Sequence, residues 1–436
     1  MLRLTLLLVA VVFTGATKKS DPSYDHQTKT YHSFADPAEC SSTAGHVTPF
    51  FSPDSSIQTY VSLIESAESS IDVYTPGFSS WSGCTHYDTK CVGCTIANQR
   101  NESFPVFGAL LNAVHRGVQV RLITNNYNTP TCAGLISPLD FLFLNGVEIR
   151  FYASTTFMHT KYMMIDKGKK TSVSSVNFSH TSFMRNREAG VVLENACSGQ
   201  SAFFQKVFDY DWSVGTQYEP TNTYSSTDMK HIKDSSVISL DVPNPPDNPS
   251  AYQTHVVNHP SVVVPAVSTN PDSARKQLMA ALAGAQSSFQ LMIYQITDDG
   301  LCNELVAMNK AGVDLTILVS RRIFSAPDYY KSQDCYAKLN SSGITVRLTP
   351  SYYTYSHQKF WIVDNTDVYL DTGNWSPTDF STGSEFPPHS SSAWQDVNRD
   401  LIVQMRDHRI VSQYASVITN DGARGSYWHP KQTSVQ

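Results

Sequence analysis

The chain reads as an α/β protein made of two similar halves, and three features carry that reading. Helix-period and strand-like segments alternate along most of its length, which predicts α/β layers around a mainly parallel or mixed sheet. The later half repeats the earlier one segment by segment. A proline-rich stretch divides the copies, so a pseudo-twofold arrangement is expected.

Composition sets the class. Of 436 residues, 41% are hydrophobic and 16% charged, enough apolar content for a packed core and too much for disorder. A net charge of −6 offers no footprint for clamping duplex DNA or an anionic membrane non-specifically. Beyond the N-terminus no apolar run approaches the ~18 residues of a membrane-spanning helix.

The chain starts Met1-Leu2-Arg3, continues with apolar Leu4 to Phe13 and leaves through Thr14-Gly15-Ala16. A basic start, a short apolar stretch and a small-residue exit predict a secretory signal peptide over residues 1–16. All eight cysteines lie beyond it: Cys40, Cys84, Cys91, Cys94, Cys132, Cys197, Cys302 and Cys335. An even count on a secretory route predicts disulfides, with the connectivity left open. Cys91-Val-Gly-Cys94 has zinc or redox spacing, but no second close pair follows, so structural bridges are preferred. Asn101 and Asn340 head glycosylation sequons.

The first half is expected over 17–219. Its segment IQTYVSLIESAESSIDVY (57–74) has its counterpart in RKQLMAALAGAQSSFQLMIY (275–294). Each is an apolar helical stripe, then Ala-x-Ser-Ser, then a strand. FGALLNAVHRGVQVRLIT (107–124) likewise parallels LCNELVAMNKAGVDLTILVS (301–320). In both, a glycine (Gly117, Gly312) permits a left-handed helix cap before a β-branched strand. LNGVEIRFY (144–152) parallels NSSGITVRL (340–348), each leading into a histidine-bearing strand. Between the halves, residues 220–272 carry eight prolines, from Pro220 to Pro271. Such a stretch disfavours helix and predicts a surface connector containing one strand near Val262–Val264. The second half is expected over 273–436.

One constellation recurs with constant spacing: His159-Thr-Lys161-Tyr-Met-Met-Ile-Asp166 and His357-Gln-Lys359-Phe-Trp-Ile-Val-Asp364. On extended backbone, residues two apart share a face, so each His and Lys point together. Asp166 and Asp364 fall on the opposite face and are expected to support the site from behind. Ser174-Ser175-Val176-Asn177 and Asp371-Thr372-Gly373-Asn374 follow, then Asn186-Arg187-Glu188 and Asn398-Arg399-Asp400. The same parity puts Ser175 beside Asn177 and Thr372 beside Asn374. Two such sets meeting across a twofold would grip a tetrahedral anion.

These residue types suit phosphoryl transfer. One neutral histidine attacks phosphorus and the other, protonated, serves the leaving alcohol and then activates water. Lys161, Lys359, Asn177 and Asn374 would stabilise charge on the non-bridging oxygens, and Glu188 and Asp400 would orient the imidazoles. Because the lysines supply positive charge, no metal and no cofactor is expected. Ser175, Thr372, Tyr355 and Trp375 are expected to contact substrate.

At these residues the chain resembles the phospholipase D superfamily, whose signature is a duplicated His-x-Lys-x4-Asp followed by Gly-Ser-x-Asn. The resemblance covers about residues 45–430. The signal-led start, Val191 to Cys197 and Phe208 to Trp212 most resemble its small secreted or endolysosomal members. It implies two α/β/α sandwich halves with the active site at their interface, a metal-independent phosphohistidine reaction, and His159 as the nucleophile. The chain departs where Ser174 and Asp371 replace the motif glycine, which would narrow the anion pocket. The implied activity is phospholipase D-type hydrolysis of a phosphatidylcholine-like lipid, at a membrane or micelle surface, to phosphatidic acid and headgroup. The alternative is a 5′ exonuclease on single-stranded nucleic acid. No stable protein partner is implied, and the expected location is the secreted or endolysosomal lumen.

Overall fold

The computed structural model describes residues 34–430 apart from 35, 41–44, 80, 82–94, 127–133, 153–156, 196, 221, 242–253, 271 and 381–397. It also describes the short pieces 24–25 and 30–31. The signal-peptide expectation, Cys84, the Cys91–Cys94 pair and Cys132 fall outside the described residues.

Two nine-stranded mixed sheets repeat one topology. From edge to edge the first comprises Thr216–Gln217, Glu148–Phe151, Gln119–Thr124, Ser70–Tyr74, Tyr162–Ile165, Lys170–Ser174, Glu188–Glu194, His46–Ser52 and His259–Pro260. The second comprises Ser426–Tyr427, Val346–Leu348, Asp314–Val319, Ser288–Ile293, Lys359–Val363, Asp367–Asp371, Leu401–Arg406, Val263–Thr269 and Ala38–Glu39. Three strands of each sheet run parallel, as the helix–strand repeat requires, because parallel neighbours need a crossover. The motif strands and their successors pair antiparallel through short turns.

The repeated helices form where the apolar periodicity places them, Ser56–Glu65 and Pro105–His115 matching Ala274–Gly284 and Asp299–Lys310. Each covers the outer face of its own sheet. Strand alternation divides the core accordingly: Ile71, Val73, Met163 and Ile165 face the outer helices, while Tyr74, Tyr162 and Met164 face inward. The inward residues join Met292, Phe360, Ile362 and Val403 of the second sheet in one central cluster. Helices Ser198–Val214 and His408–Arg424 contribute to it. The halves are therefore α/β/α layers fused through a shared apolar core, which removes most of the apolar face of each from water.

The boundary is more interwoven than the repeat suggested. The expected connector 220–272 contains the helix Ser226–Ile232 and the strand Val263–Thr269, which belongs fully to the second sheet. His259–Pro260 edges the first sheet, and Ala38–Glu39 from the N-terminal side edges the second. Among the described prolines of this stretch, Pro260 lies in the edge strand and Pro265 at the register shift between Val263 and Ala266, places that tolerate a missing ladder donor. Disulfides join Cys40 to Cys197 and Cys302 to Cys335. Among the described residues no helix is long and apolar enough to cross a membrane.

Candidate active site

His159 and His357 precede their strands rather than lying within them, since the ladders begin at Tyr162 and Lys359. What holds them is backbone pairing with the opposite half. The His159 N–H donates to the Arg399 carbonyl at 3.1 Å, and the His357 N–H donates to the Arg187 carbonyl at 2.8 Å. Each histidine thus lies against the Asn-Arg-acid segment of the other half. The rings face each other edge-on, centroids 6.5 Å apart.

This exchange decides which carboxylate serves which ring, a point the linear sequence does not contain. His357 Nδ1 lies 3.0 Å from Glu188 Oε2 of the first half. His159 Nδ1 lies 3.3 Å from Asp400 Oδ1 of the second. Ser175 and Thr372 do not reach the substrate space as expected. Their hydroxyls turn back, Ser175 donating to Glu188 at 2.6 Å and Thr372 to Asp400 at 2.8 Å. A buried carboxylate needs donors, and these are the nearest. Gly373 leaves room for this: a Cβ there would meet the Asp400 carboxylate at 2.7 Å.

Ser174 and Asp371 likewise stay out of the cavity. They accept from the N–H groups of Val176 and Gly373, at 3.1 and 2.8 Å, and so cap their loops. Asp166 and Asp364 do not lie on the opposite strand face that parity predicted but in the turns just past the strand ends, each with φ of +49°. Asp364 accepts from the N–H groups of Gln286, Ser287 and Ser288, and Asp166 does the same for Glu68, Ser69 and Ser70. Burial would raise the Asp364 carboxyl, but these donors outweigh it and hold it at about 2. Both motif aspartates are therefore placed as structural clasps remote from the reacting groups. Trp375, expected at the substrate, is fully buried against Phe289 and Trp361, its backbone fixed by a bridge to Ile296 and its ring in the outer core.

Both lysines are fully buried. Lys359 Nζ lies 2.8 Å from His357 Nε2 and donates to the His357 carbonyl at 2.7 Å. Lys161 Nζ bonds the His159 carbonyl and the Thr372 carbonyl rather than a ring. Burial lowers Lys161 to about 8 against the pull of Asp400 and Asp379, and lowers Lys359 further, with Lys161 adding repulsion. Burial and Lys359 bring His357 down to about 4 despite Glu188. An anion entering between the lysines would reverse that penalty.

The rings and both asparagines open onto a cavity of about 770 Å³. Asn177 and Asn374 both line it, and the amide oxygen of each is buried without a hydrogen-bond partner. Tyr355 lines it together with Tyr294, whose ring is 4.8 Å from that of His357. Phe157 and the largely exposed Phe324 complete the aromatic rim.

Two groups of side chains escaped the sequence reading. Arg187 and Arg399 are reciprocal staples: Arg187 pairs with Asp421 and Asp54, each at 2.8 Å, and Arg399 with Asp211 and Asp272, at 3.0 and 2.9 Å. Their duplication was visible, but only the flanking acids were given a role. The other is Asp379, whose Oδ1 lies 3.4 Å from His159 Nδ1. Its signal is the alignment of Asn177-Phe-Ser-His-Thr-Ser182-Phe with Asn374-Trp-Ser-Pro-Thr-Asp379-Phe, which puts an aspartate opposite a serine. His159, Asp379 and Asp400 lie close enough for a cation, their ligand atoms within 4.8 Å of one another. Asp379 also accepts from Asn398, Ser376 and the Asn374 N–H, while His159 Nδ1 lies near both acids without a hydrogen bond to either.

The chain belongs to the phospholipase D-like family: the family described as cardiolipin synthase, PLD-like domain, matches residues 60–212 and 278–421, one copy in each half. A mitochondrial cardiolipin hydrolase of Xenopus laevis is 31% identical over 114 residues, 26% of this chain and 51% of that protein. A 5'-3' exonuclease PLD3 of Xenopus laevis is 23% identical over 352 residues, 73% of this chain and 66% of that protein. The structure of a phosphatidylserine synthase of Haemophilus influenzae superposes with a TM-score of 0.56 over 88% of each chain, at 12% identity, a likeness of fold.

Proposed function

We propose that the chain is a phosphodiesterase working through a phosphohistidine, one histidine attacking phosphorus and the other protonating the leaving alcohol. The observation that carries this is the reciprocal arrangement of two imidazoles, each backed by a carboxylate of the opposite half and flanked by a buried lysine. Attack, proton transfer and charge stabilisation each have a group in place. Lys161, Lys359 and the amide NH2 groups of Asn177 and Asn374 bind the phosphoryl oxygens, in a site that the buried ammonium groups make anion-seeking.

For the substrate, single-stranded nucleic acid comes first. The relative whose match extends over both halves bears an exonuclease name. The rim of Tyr294, Tyr355, Phe157 and exposed Phe324 suits stacked bases, which every sequence presents alike. Phosphatidylcholine-like lipid is the second reading, favoured by the shorter cardiolipin hydrolase match and by a net charge of −6. The two bridges fit action in an oxidising lumen. Purified chain should shorten a 5′-hydroxyl single-stranded oligonucleotide in chelator, without releasing choline from dispersed phosphatidylcholine. Headgroup release without shortening would invert the order of the two substrates.

A further inference from the structure

His159 sits in a setting that His357 lacks. Its Nδ1 is buried without a hydrogen-bond partner, 3.4 Å from Asp379 Oδ1 and 3.3 Å from Asp400 Oδ1. His357 Nδ1 instead bonds Glu188, and the place that corresponds to Asp379 holds Ser182. The two places are equivalent: Ser179 caps the Ser182 N–H as Ser376 caps that of Asp379, and Asn186 and Asn398 donate to the two side chains. Of the two imidazoles, only that of His159 meets a pair of carboxylates, and all three residues are buried. Two buried acids at one point are costly unless a cation neutralises them. Lys161 interacts with both, but its ammonium is taken up by the His159 and Thr372 carbonyls. The separations match the ligand-to-ligand edges, about 3.3–3.4 Å, of a tetrahedral zinc ion with bonds of about 2.0–2.1 Å. Imidazole and carboxylate are both zinc ligands, whereas magnesium and calcium take oxygen. The acids are already aimed: Asp379 accepts from Asn398 and Ser376, and Asp400 Oδ1 from Thr372, with Asp400 Oδ2 left without a partner. His159 and Asp379 also line a second cavity of about 450 Å³, walled by Thr297, Thr378 and Asn398, through which a cation would enter and where water would fill the fourth position.

We propose that His159, Asp379 and Asp400 form an inhibitory zinc site. The ion takes the Nδ1 lone pair, and any proton on that nitrogen is displaced to solvent, which leaves the ring proton on Nε2. Nε2 then has no lone pair to offer phosphorus, and giving up its proton would leave an imidazolate. The ring is thus withdrawn from attack and from proton transfer alike, and removal of the ion returns it to both. Catalysis itself uses no metal in this scheme. Only the inhibitory consequence rests on the phosphodiesterase reading; the site stands on its own geometry.

The test uses the full chain freed of metal by chelator, with zinc and cobalt(II) as probes and a diester with an alkoxide leaving group as substrate. Calorimetry should show zinc binding that Asp379→Ser, which installs the residue of the first half, weakens by at least about 100-fold, since even the outer partners of a ligand are worth about 10–100-fold. Asp400→Asn, which keeps the side chain's shape, should weaken it as much. Cobalt(II) should give the visible bands of a tetrahedral ion without thiolate charge transfer, and both variants should lack them. Zinc should abolish wild-type turnover and excess chelator should restore it, whereas the activity left in Asp379→Ser should not respond to the same zinc concentration. Equal zinc affinity in wild type and both variants, or wild-type turnover unchanged at saturating zinc, would overturn the proposal. Wild-type chain that binds zinc here but hydrolyses neither diester nor oligonucleotide in chelator would overturn the phosphodiesterase reading and leave the site standing.

Discussion

Alanine at either His159 or His357 is expected to lower kcat on a diester with an alkoxide leaving group by on the order of 10⁴-fold. Attack and leaving-group protonation occur in one transition state, so either loss leaves the other half of the machinery idle. The rings are only 6.5 Å apart and share one cavity. Groups that act as a unit are non-additive, so the double variant should be little worse than either single one. The measurement is kcat for the two single variants and the double on the same ester. A single variant keeping a tenth of wild-type activity would mean that the halves hold separate sites.

The second large effect concerns stability. Arg187→Ala and Arg399→Ala should each destabilise the fold by about 3–5 kcal/mol, because each strands buried acids without their partner. Arg187 is fully buried, and Asp421, one of its partners, lies on the far half. Burial already raises the Asp421 carboxyl, with the Arg187 charge opposing the rise. For a chain this long the loss corresponds to a fall in Tm of about 4–6 °C. The arginines also sit between the backbone carbonyls that fix the opposite histidines and the acids that orient them. Activity should therefore fall below the melting transition as well. A Tm within 1 °C of wild type would show that the halves do not depend on these staples.

Much of this architecture was legible from local pattern. Helical stripes, Gly117 and Gly312 as caps, and the duplicated His-x-Lys-x4-Asp specify elements because their information lies within a few residues of sequence. Parity did not place Asp166 and Asp364, because the chain leaves the strand before them and turns at positive φ, which lets their carboxylates clasp the N–H groups that open the neighbouring strand. Parity failed for Ser175 and Thr372, since it gives a face but not which buried acid waits on it. Trp375 shows the same limit: adjacency to Asn374 says nothing of the core into which its ring turns. The cross-half partners, Glu188 to His357 and Asp400 to His159, depend on contacts between segments far apart in the chain. No periodicity encodes them. Asp379 was accessible in principle, but only by aligning the two Asn-x-Ser segments and asking where the copies differ.

The stereochemical course at phosphorus tests the central claim most directly. A diester made chiral at phosphorus, hydrolysed in isotopically labelled water with chelator present, distinguishes one displacement from two. A phosphohistidine route inverts twice, so the account predicts net retention. Net inversion would mean that water attacks the substrate directly, and the paired histidines would then have to be reassigned as acid and base.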